Sequence, residues 1–417
     1  MKMTRFLFYF LFSSLVVRGE DWPRWRGVQG NGTWNGPAIA RELNGSGLER
    51  VWKVQVYPGY SGVTVLGDKV LVMDRPPVKG GRETERALCV ERQSGKKIWE
   101  FVYEAKYKKL DYDKGPRASL TIQDNRVYGL GSMGHAFCLN LRTGKQEWFR
   151  DLLKEEGLPF PIWGFSASPE ILGEVVLYHV GGGKGGNLLA LNRKNGKRVW
   201  SVGDDAKAGY AQSVVLEMED ARQLLCWGPN KIMGLPIGGG AEFWSIPYEL
   251  KYGVSIAKPI FEQSIVLVCG YWNGSRAIQI SDQGKTARLL WSEEEKLRGL
   301  MAQPLYREGV VYLLDRSHGL SAFRLKTGEI LWRDDHQLTA AGRNPHASIV
   351  WTDQIKGEAL SLNAEGELVY LNLNPDGYRE YWREQVCGET WSHPAYAGNQ
   401  IFARDDRSLS CWTLPGP

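Results

Sequence analysis

One phrase recurs along this chain: an apolar strand, a turn containing Gly, then a strand carrying Trp. It reads ALCVERQSGKKIW to Trp99, AFCLNLRTGKQEW to Trp148, LLALNRKNGKRVW to Trp200, IMGLPIGGGAEFW to Trp244 and LSAFRLKTGEILW to Trp332. Looser copies end at Trp291 and Trp382. From Trp52 to Trp382 the spacings are 47, 49, 52, 44, 47, 41 and 50 residues. A repeat of that length must be one supersecondary unit that buries its apolar face against its neighbours.

Each part of the phrase has a mechanical meaning. Alternating apolar positions make a strand with one buried face. Ser94-Gly95, Thr143-Gly144 and Asn195-Gly196 are turn pairs, in which Gly tolerates the positive φ of a tight hairpin. The Trp that follows is too large for its own sheet's pleat and is expected to wedge between neighbouring sheets, its N–H near a backbone acceptor. In five of seven copies it follows the turn Gly by four residues; after Gly284 and Gly377 the step is seven and five, so those turns must be extended.

Upstream of each phrase stand two more strand signals. One is short, as in SASPEI (Ser166 to Ile171) or SHPAY (Ser392 to Tyr396), and the other is apolar, as in GVVYLLD from Gly309. Four strands per repeat describe the blades of a β-propeller. The last repeat, RSLSCWTL (Arg407 to Leu414), ends before any Trp strand, whereas LERVWKVQV (Leu48 to Val56) is a Trp strand with nothing before it. The two halves complete one blade, so the expected fold is an all-β, eight-bladed ring closed by the N-terminal strand.

Residues 1–19 read as a signal peptide: Lys2 and Arg5, an apolar run from Phe6 to Val17, then Val17-Arg18-Gly19 at the cleavage site. About twelve apolar residues are too few to span a bilayer. Residues 20–46 form a Trp-rich arm and 47–417 the propeller. Without Lys2, Arg5 and Arg18 the net charge falls from +5 to +2. No dense basic stretch tracks a phosphate backbone, so nucleic acid is not an expected partner. The mature chain is expected to be a soluble monomer without a transmembrane segment, periplasmic or extracellular. Cys89, Cys138 and Cys411 occupy similar strands of different repeats, too far apart for disulfides, and Cys226 and Cys269 end apolar runs; all are read as buried thiols.

These repeats resemble those of the PQQ-like β-propeller proteins, the superfamily that contains quinoprotein alcohol dehydrogenases and the BamB-type outer-membrane assembly factor. A second mark is DWPRWRGVQGNG (Asp21 to Gly32), similar to the opening of exported bacterial members. The arm, with Trp22, Trp25 and Trp34, is expected to lie across the propeller with its rings buried.

The resemblance implies, for the dehydrogenases, a quinone held between a stacking Trp and an adjacent disulfide-bonded Cys pair, with a calcium or lanthanide ion and a catalytic Asp. No adjacent Cys pair and no clustered acids are present here, and a hard cation wants six or more oxygens. Around the innermost strands the sequence instead places Arg117, Trp163, Tyr210, Tyr252, Arg343, His346, Trp391 and His393, with Lys114, Phe165 and Met301 beside them and Asp113 and Glu389 the nearest carboxylates. His346 and His393 are read as polar residues near a water-filled funnel rather than a metal or acid–base pair. GGGKGG (Gly181 to Gly186) lacks the Lys-Ser/Thr ending and following helix of a phosphate loop and reads as a hairpin. The expected function is a non-catalytic binding or scaffold protein without a cofactor, holding an envelope protein, peptide or glycan at one mouth; the alternative is a PQQ-dependent alcohol or sugar dehydrogenase.

Overall fold

The computed structural model describes residues 19–417 apart from 183, 184, 220 and 300. The expected signal peptide, but for Gly19, and the centre of the GGGKGG hairpin therefore lie outside the described residues. Eight four-stranded antiparallel sheets form the ring. Blades 1 to 7 cover residues 64–104, 121–151, 170–202, 214–247, 260–293, 305–333 and 347–385. Blade 8 joins residues 395–413 to the N-terminal strand Glu49–Gln55, which lies antiparallel to Ser408–Thr413 with Trp52 opposite Cys411. The one α-helix among the described residues is Leu152–Glu155, and no helix is long and apolar enough to cross a membrane.

In five of the eight repeats the Trp indole bonds one blade to the next. Trp52 Nε1 donates to Arg92 O (2.7 Å), Trp99 to Leu141 O (2.8 Å), Trp148 to Arg193 O (3.0 Å), Trp291 to Leu325 O (2.9 Å) and Trp332 to Asn374 O (2.9 Å). Each acceptor lies in or beside the outer turn of the following blade. The turn Gly is flat for the same reason: a Cβ on Gly144 would sit 2.6 Å from the Trp99 ring, and one on Gly196 2.8 Å from Trp148. Both also have positive φ, so any other residue would be strained as well as obstructed.

Two departures from the phrase have local solutions. Ahead of the lengthened turn at Gly284, Trp244 donates to Gln223 Oε1 (3.1 Å) and Gln223 Nε2 donates to Gly284 O (3.2 Å), so a side-chain amide spans the gap. Trp382 faces the place where the chain is cut. Its Nε1 donates to Ala40 O in the arm (2.9 Å), and Ala40 N donates to Pro415 O (2.9 Å). The arm thus supplies the turn that a cut blade lacks.

Opposite the Trp residues on the third strands stand Cys411, Cys89, Cys138, Ala190, Gly234, Ala277 and Ala322, with Tyr370 the exception. Small residues make room for the indole, which explains why three cysteines recur at one position. All six cysteines are free and five are buried; burial pushes the Cys89, Cys138 and Cys411 thiols up to about 12. In every blade except blade 4, the residue before the Trp is a β-bulge. Bulged outer strands make poor templates for edge-to-edge pairing.

Candidate functional site

The innermost strands are short, and the segments leading into them line the axis. Ser119, Ser166 to Ser168, Gln212, Gln303 and His393, each just before an inner strand, border a cavity of about 570 Å³ at that mouth. SASPEI and SHPAY become strand only in their last residues, Glu170–Leu172 and Ala395–Ala397. Their leading residues stay irregular and form the axial wall.

The arm crosses the other end of the channel. Trp22 exchanges backbone hydrogen bonds with Val65 of blade 1 (3.0 and 2.9 Å), Ile122 N of blade 2 donates to Pro23 O (2.8 Å), and Gly32 and Trp34 pair with Trp351 of blade 7 (2.8 and 2.9 Å). These bonds satisfy inner-edge groups that a bare ring would leave facing its channel. Trp22 and Trp34 are buried against Tyr396, and Trp25 meets His393 edge-on at 5.5 Å. Trp25 also lines the cavity, so a through-channel has become a blind funnel.

Its walls are aromatic. Tyr60 stacks on Trp391 (5.8 Å), which Tyr112 also approaches at 5.8 Å; Trp163 packs on Tyr210 (5.5 Å), and Tyr271 meets Trp272 edge-on (4.7 Å). Burial raises the Tyr60 and Tyr210 phenols to about 12. Tyr271 Oη donates to Arg343 O, and Asn344 Nδ2 reaches Tyr112 Oη at 3.4 Å, so loops of three blades meet across the mouth. Tyr252, 60% exposed, stands at the rim with a left-handed backbone (φ +62°). Backbone held in such a sparsely populated region clusters at active sites, ligand clamps and switch regions.

Of the residues the sequence placed near the axis, Arg117, Trp163, Tyr210, Tyr252, Met301, Arg343, Trp391 and His393 line this funnel. His346 does not. It is fully buried behind His393 (5.3 Å), outside the cavity lining, and among the described residues neither ring nitrogen has a hydrogen-bond partner. Phe165 is buried in the core between blades 2 and 3, and Lys114 is exposed and paired with Asp406 (2.6 Å) outside the cavity lining. Asp111, rather than Asp113, is the lining carboxylate. Tyr60, Tyr112, Tyr271 and Trp272 were not singled out, and Trp25 was expected only as a buried ring of the arm. They lie on loops between blades, in the short turn between Ile265–Gly270 and Gly274–Ser281, and on the arm, where no strand periodicity reveals orientation.

The geometry also changes the meaning of Arg117. Its Nη1 donates to Gly115 O and Ser132 Oγ, and its Nη2 to Asp111 O and Tyr112 O. Three of these four contacts hold carbonyls of the 111–117 loop and the fourth holds Ser132, leaving Nε alone for a ligand. Arg343 is exposed, and among the described residues its guanidinium forms no ion pair.

His346 and His393 have a measurable consequence. Burial lowers His346 to about 4 and holds His393 well below the ordinary histidine range, with His346 and then Arg26 adding to the effect. Both are therefore neutral in the folded chain at neutral pH. Because their folded pKa values lie below the unfolded value, the unfolded state binds more protons as pH drops below about 6.5. Stability is full above that pH and declines toward pH 4. His346 alone should cost about 2 kcal/mol at pH 5. Urea unfolding at pH 7.5 and 5.0 checks this: His346→Leu should reduce the pH dependence by that amount, and an unchanged slope would refute the linkage.

A closed ring of Trp-docked blades, capped at one mouth and aromatic at the other, defines a PQQ-like β-propeller. The chain belongs to the family described as outer membrane protein assembly factor BamB, whose model matches residues 43–201, 83–334 and 239–377. An outer membrane protein assembly factor BamB from Moranella endobia (strain PCIT) is 22% identical over 294 residues, 68% of this chain and 69% of the relative. Among solved structures, BamB from Moraxella catarrhalis superposes with a TM-score of 0.59 at 19% identity, covering 88% of this chain and 97% of that one. A europium-containing methanol dehydrogenase gives 0.68 at 10% identity, covering 95% and 98%. At such identities the structural matches show the fold, which enzymes and non-enzymes share.

Proposed function

We propose that this chain is an exported, non-catalytic propeller of the cell envelope that holds a partner protein at its aromatic mouth. The carrying observation is the blind funnel: its rings come from several blades, it is open on one side, and its central arginine is consumed by its own loop. Exposed aromatics around a concave, partly polar surface suit a protein loop or peptide, since Trp and Tyr give large contact area at little entropic cost. The family's naming for outer-membrane protein assembly favours a protein over a glycan. Export rests on the pattern of residues 1–19.

The dehydrogenase alternative asks the same funnel to hold PQQ, and the residues do not fit that group. The free cysteines include none on the funnel wall. Among the described residues no group of three or more His, Cys, Asp or Glu could hold a metal ion, and Asp111 is the lining carboxylate. A polarising calcium or lanthanide ion needs several clustered oxygen ligands, and Asp111 alone does not supply them.

The test uses the mature chain with a photo-crosslinking residue in place of Tyr252, expressed in its native envelope. A discrete crosslinked protein is expected, reduced at least tenfold by Trp391→Ala or Trp163→Ala without a comparable loss of melting temperature. Absence of any crosslink at the mouth, together with dye-linked alcohol or sugar oxidation after adding PQQ and calcium or a lanthanide, would replace this reading by the enzymatic one.

A further inference from the structure

On the face opposite the funnel the arm does not fill the ring completely. Beside blades 4 to 7 it leaves a second cavity of about 320 Å³, bordered by Arg26, Gly30 and Asn31 of the arm and by Lys258, Gln303 and Trp351 of the ring. Two cations meet there. Lys258 Nζ donates to Gly30 O (2.9 Å) and Gln212 Oε1 (3.0 Å), leaving one of its three N–H groups unassigned. Arg26, 4% exposed, donates to Asn31 O (3.1 Å) and, at 3.5 Å, to Ile349 O.

Among the described residues neither cation forms an ion pair. The buried carboxylate nearby, Glu170, is held by Arg24, which cancels its charge. Of the carboxylates at the cavity's outer edge, Glu217 is paired with Arg222 (2.7 Å) and Glu262 is exposed. His346, His393 and Tyr396 around Arg26 are uncharged at neutral pH. The direct hydrogen-bond partners of both cations are therefore neutral oxygens, while the Arg24–Glu170 pair brings no net charge. Buried charge without a counter-charge is costly, and a chain that retains two such groups around one cavity has a place for an anion.

We infer that Arg26 and Lys258 form a binding site for a small dianion, of the short dicarboxylate class, seated between the arm and blades 4 to 7. Two monovalent cations match two negative charges, and the cavity has room for a short carbon chain between carboxylates. Arg26 offers the planar fork suited to a carboxylate, and Lys258 a point charge. The site would couple occupancy to the arm, because Arg26 belongs to the arm and Lys258 is bonded to it through Gly30 O. Burial, with Arg24 and Arg26 acting in the same sense and Glu170 opposing, brings Lys258 down to about 8. Affinity should thus be greatest below pH 8 and weaken above it as the ammonium loses its proton.

The inference stands apart from the funnel, and its test separates them. Thermal unfolding and calorimetric titration of the mature protein with malonate or succinate, against chloride at matched ionic strength, should show saturable binding at pH 7. Lys258→Met should weaken it at least tenfold while the ring stays folded, Lys258→Arg should restore much of it, and Trp391→Ala should leave it unchanged. Should Lys258→Met fail to fold, the pH profile of the wild-type titration decides, with weakening across pH 8 expected. No malonate or succinate response beyond that of chloride, or an equal response in Lys258→Met, would overturn the site.

Discussion

A chain beginning at Tyr57 should fail to yield a stable monomer. It lacks the strand Glu49–Gln55, so blade 8 loses its outer strand and Ser408–Thr413 becomes an unpaired edge. Trp52, which docks on blade 1 through Arg92 O, is lost as well, and with it the seam that closes the ring. Exposed, unpaired strand edges are templates for association, so the expected product is aggregated or multimeric on size-exclusion chromatography. A chain beginning at Leu48 separates the arm from the strand. It retains blade 8 but removes Trp22, Trp25 and Trp34, all buried, and the Ala40 carbonyl that accepts from Trp382. That shorter deletion should lower the melting temperature and open the capped mouth. A Tyr57 chain that remains monomeric with an unchanged melting temperature would disprove closure by the N-terminal strand.

Trp148→Ala should destabilise the ring by about 3–5 kcal/mol, the usual cost of truncating a large buried aromatic. Trp148 is 6% exposed, covers Gly196 of the next blade and donates to Arg193 O, so truncation opens a cavity at a blade junction and leaves that carbonyl with only the longer bond from Tyr128 Oη (3.3 Å). Trp148→Phe keeps most of the packing and should cost less, the difference reporting the lost hydrogen bond and indole area. Trp200 occupies the same place in the phrase but is only half-buried and has no hydrogen bond from its indole among the described residues. Trp200→Ala should therefore cost clearly less. Urea unfolding of the three variants ranks them, and equal losses for Trp148→Ala and Trp200→Ala would show that the docking bond and burial are not what these residues contribute.

The ring was legible because its rules are local and repeated. A strand's period of two, a turn glycine and a Trp soon after it are all written within about a dozen residues, and seven copies, five with the same four-residue step, reinforce one another. Even the circular closure followed from two half-phrases at Trp52 and Cys411. The arm's burial was legible too, from rings too large to leave in water, but not its route across blades 1, 2, 7 and 8. That route depends on which inner-edge N–H and C=O groups remain unpaired once the ring has closed.

The candidate sites lie on the other side of that divide. His346 and His393 occupy matching places in neighbouring repeats, yet one lines the funnel and the other is sealed behind it, because Trp25 of the arm packs against His393 at the channel's end. Arg117 looks from sequence like a free cation and is spent on its own loop. Lys258 lies in an unremarkable stretch before an inner strand and becomes a buried neighbour of Arg26 only when segments more than 200 residues apart meet. Blade identity follows from short-range patterning, which any repeat carries alone. Exposure, charge balance and cavity shape follow from long-range packing of segments that have no periodicity, and these came into view only with the closed and capped ring.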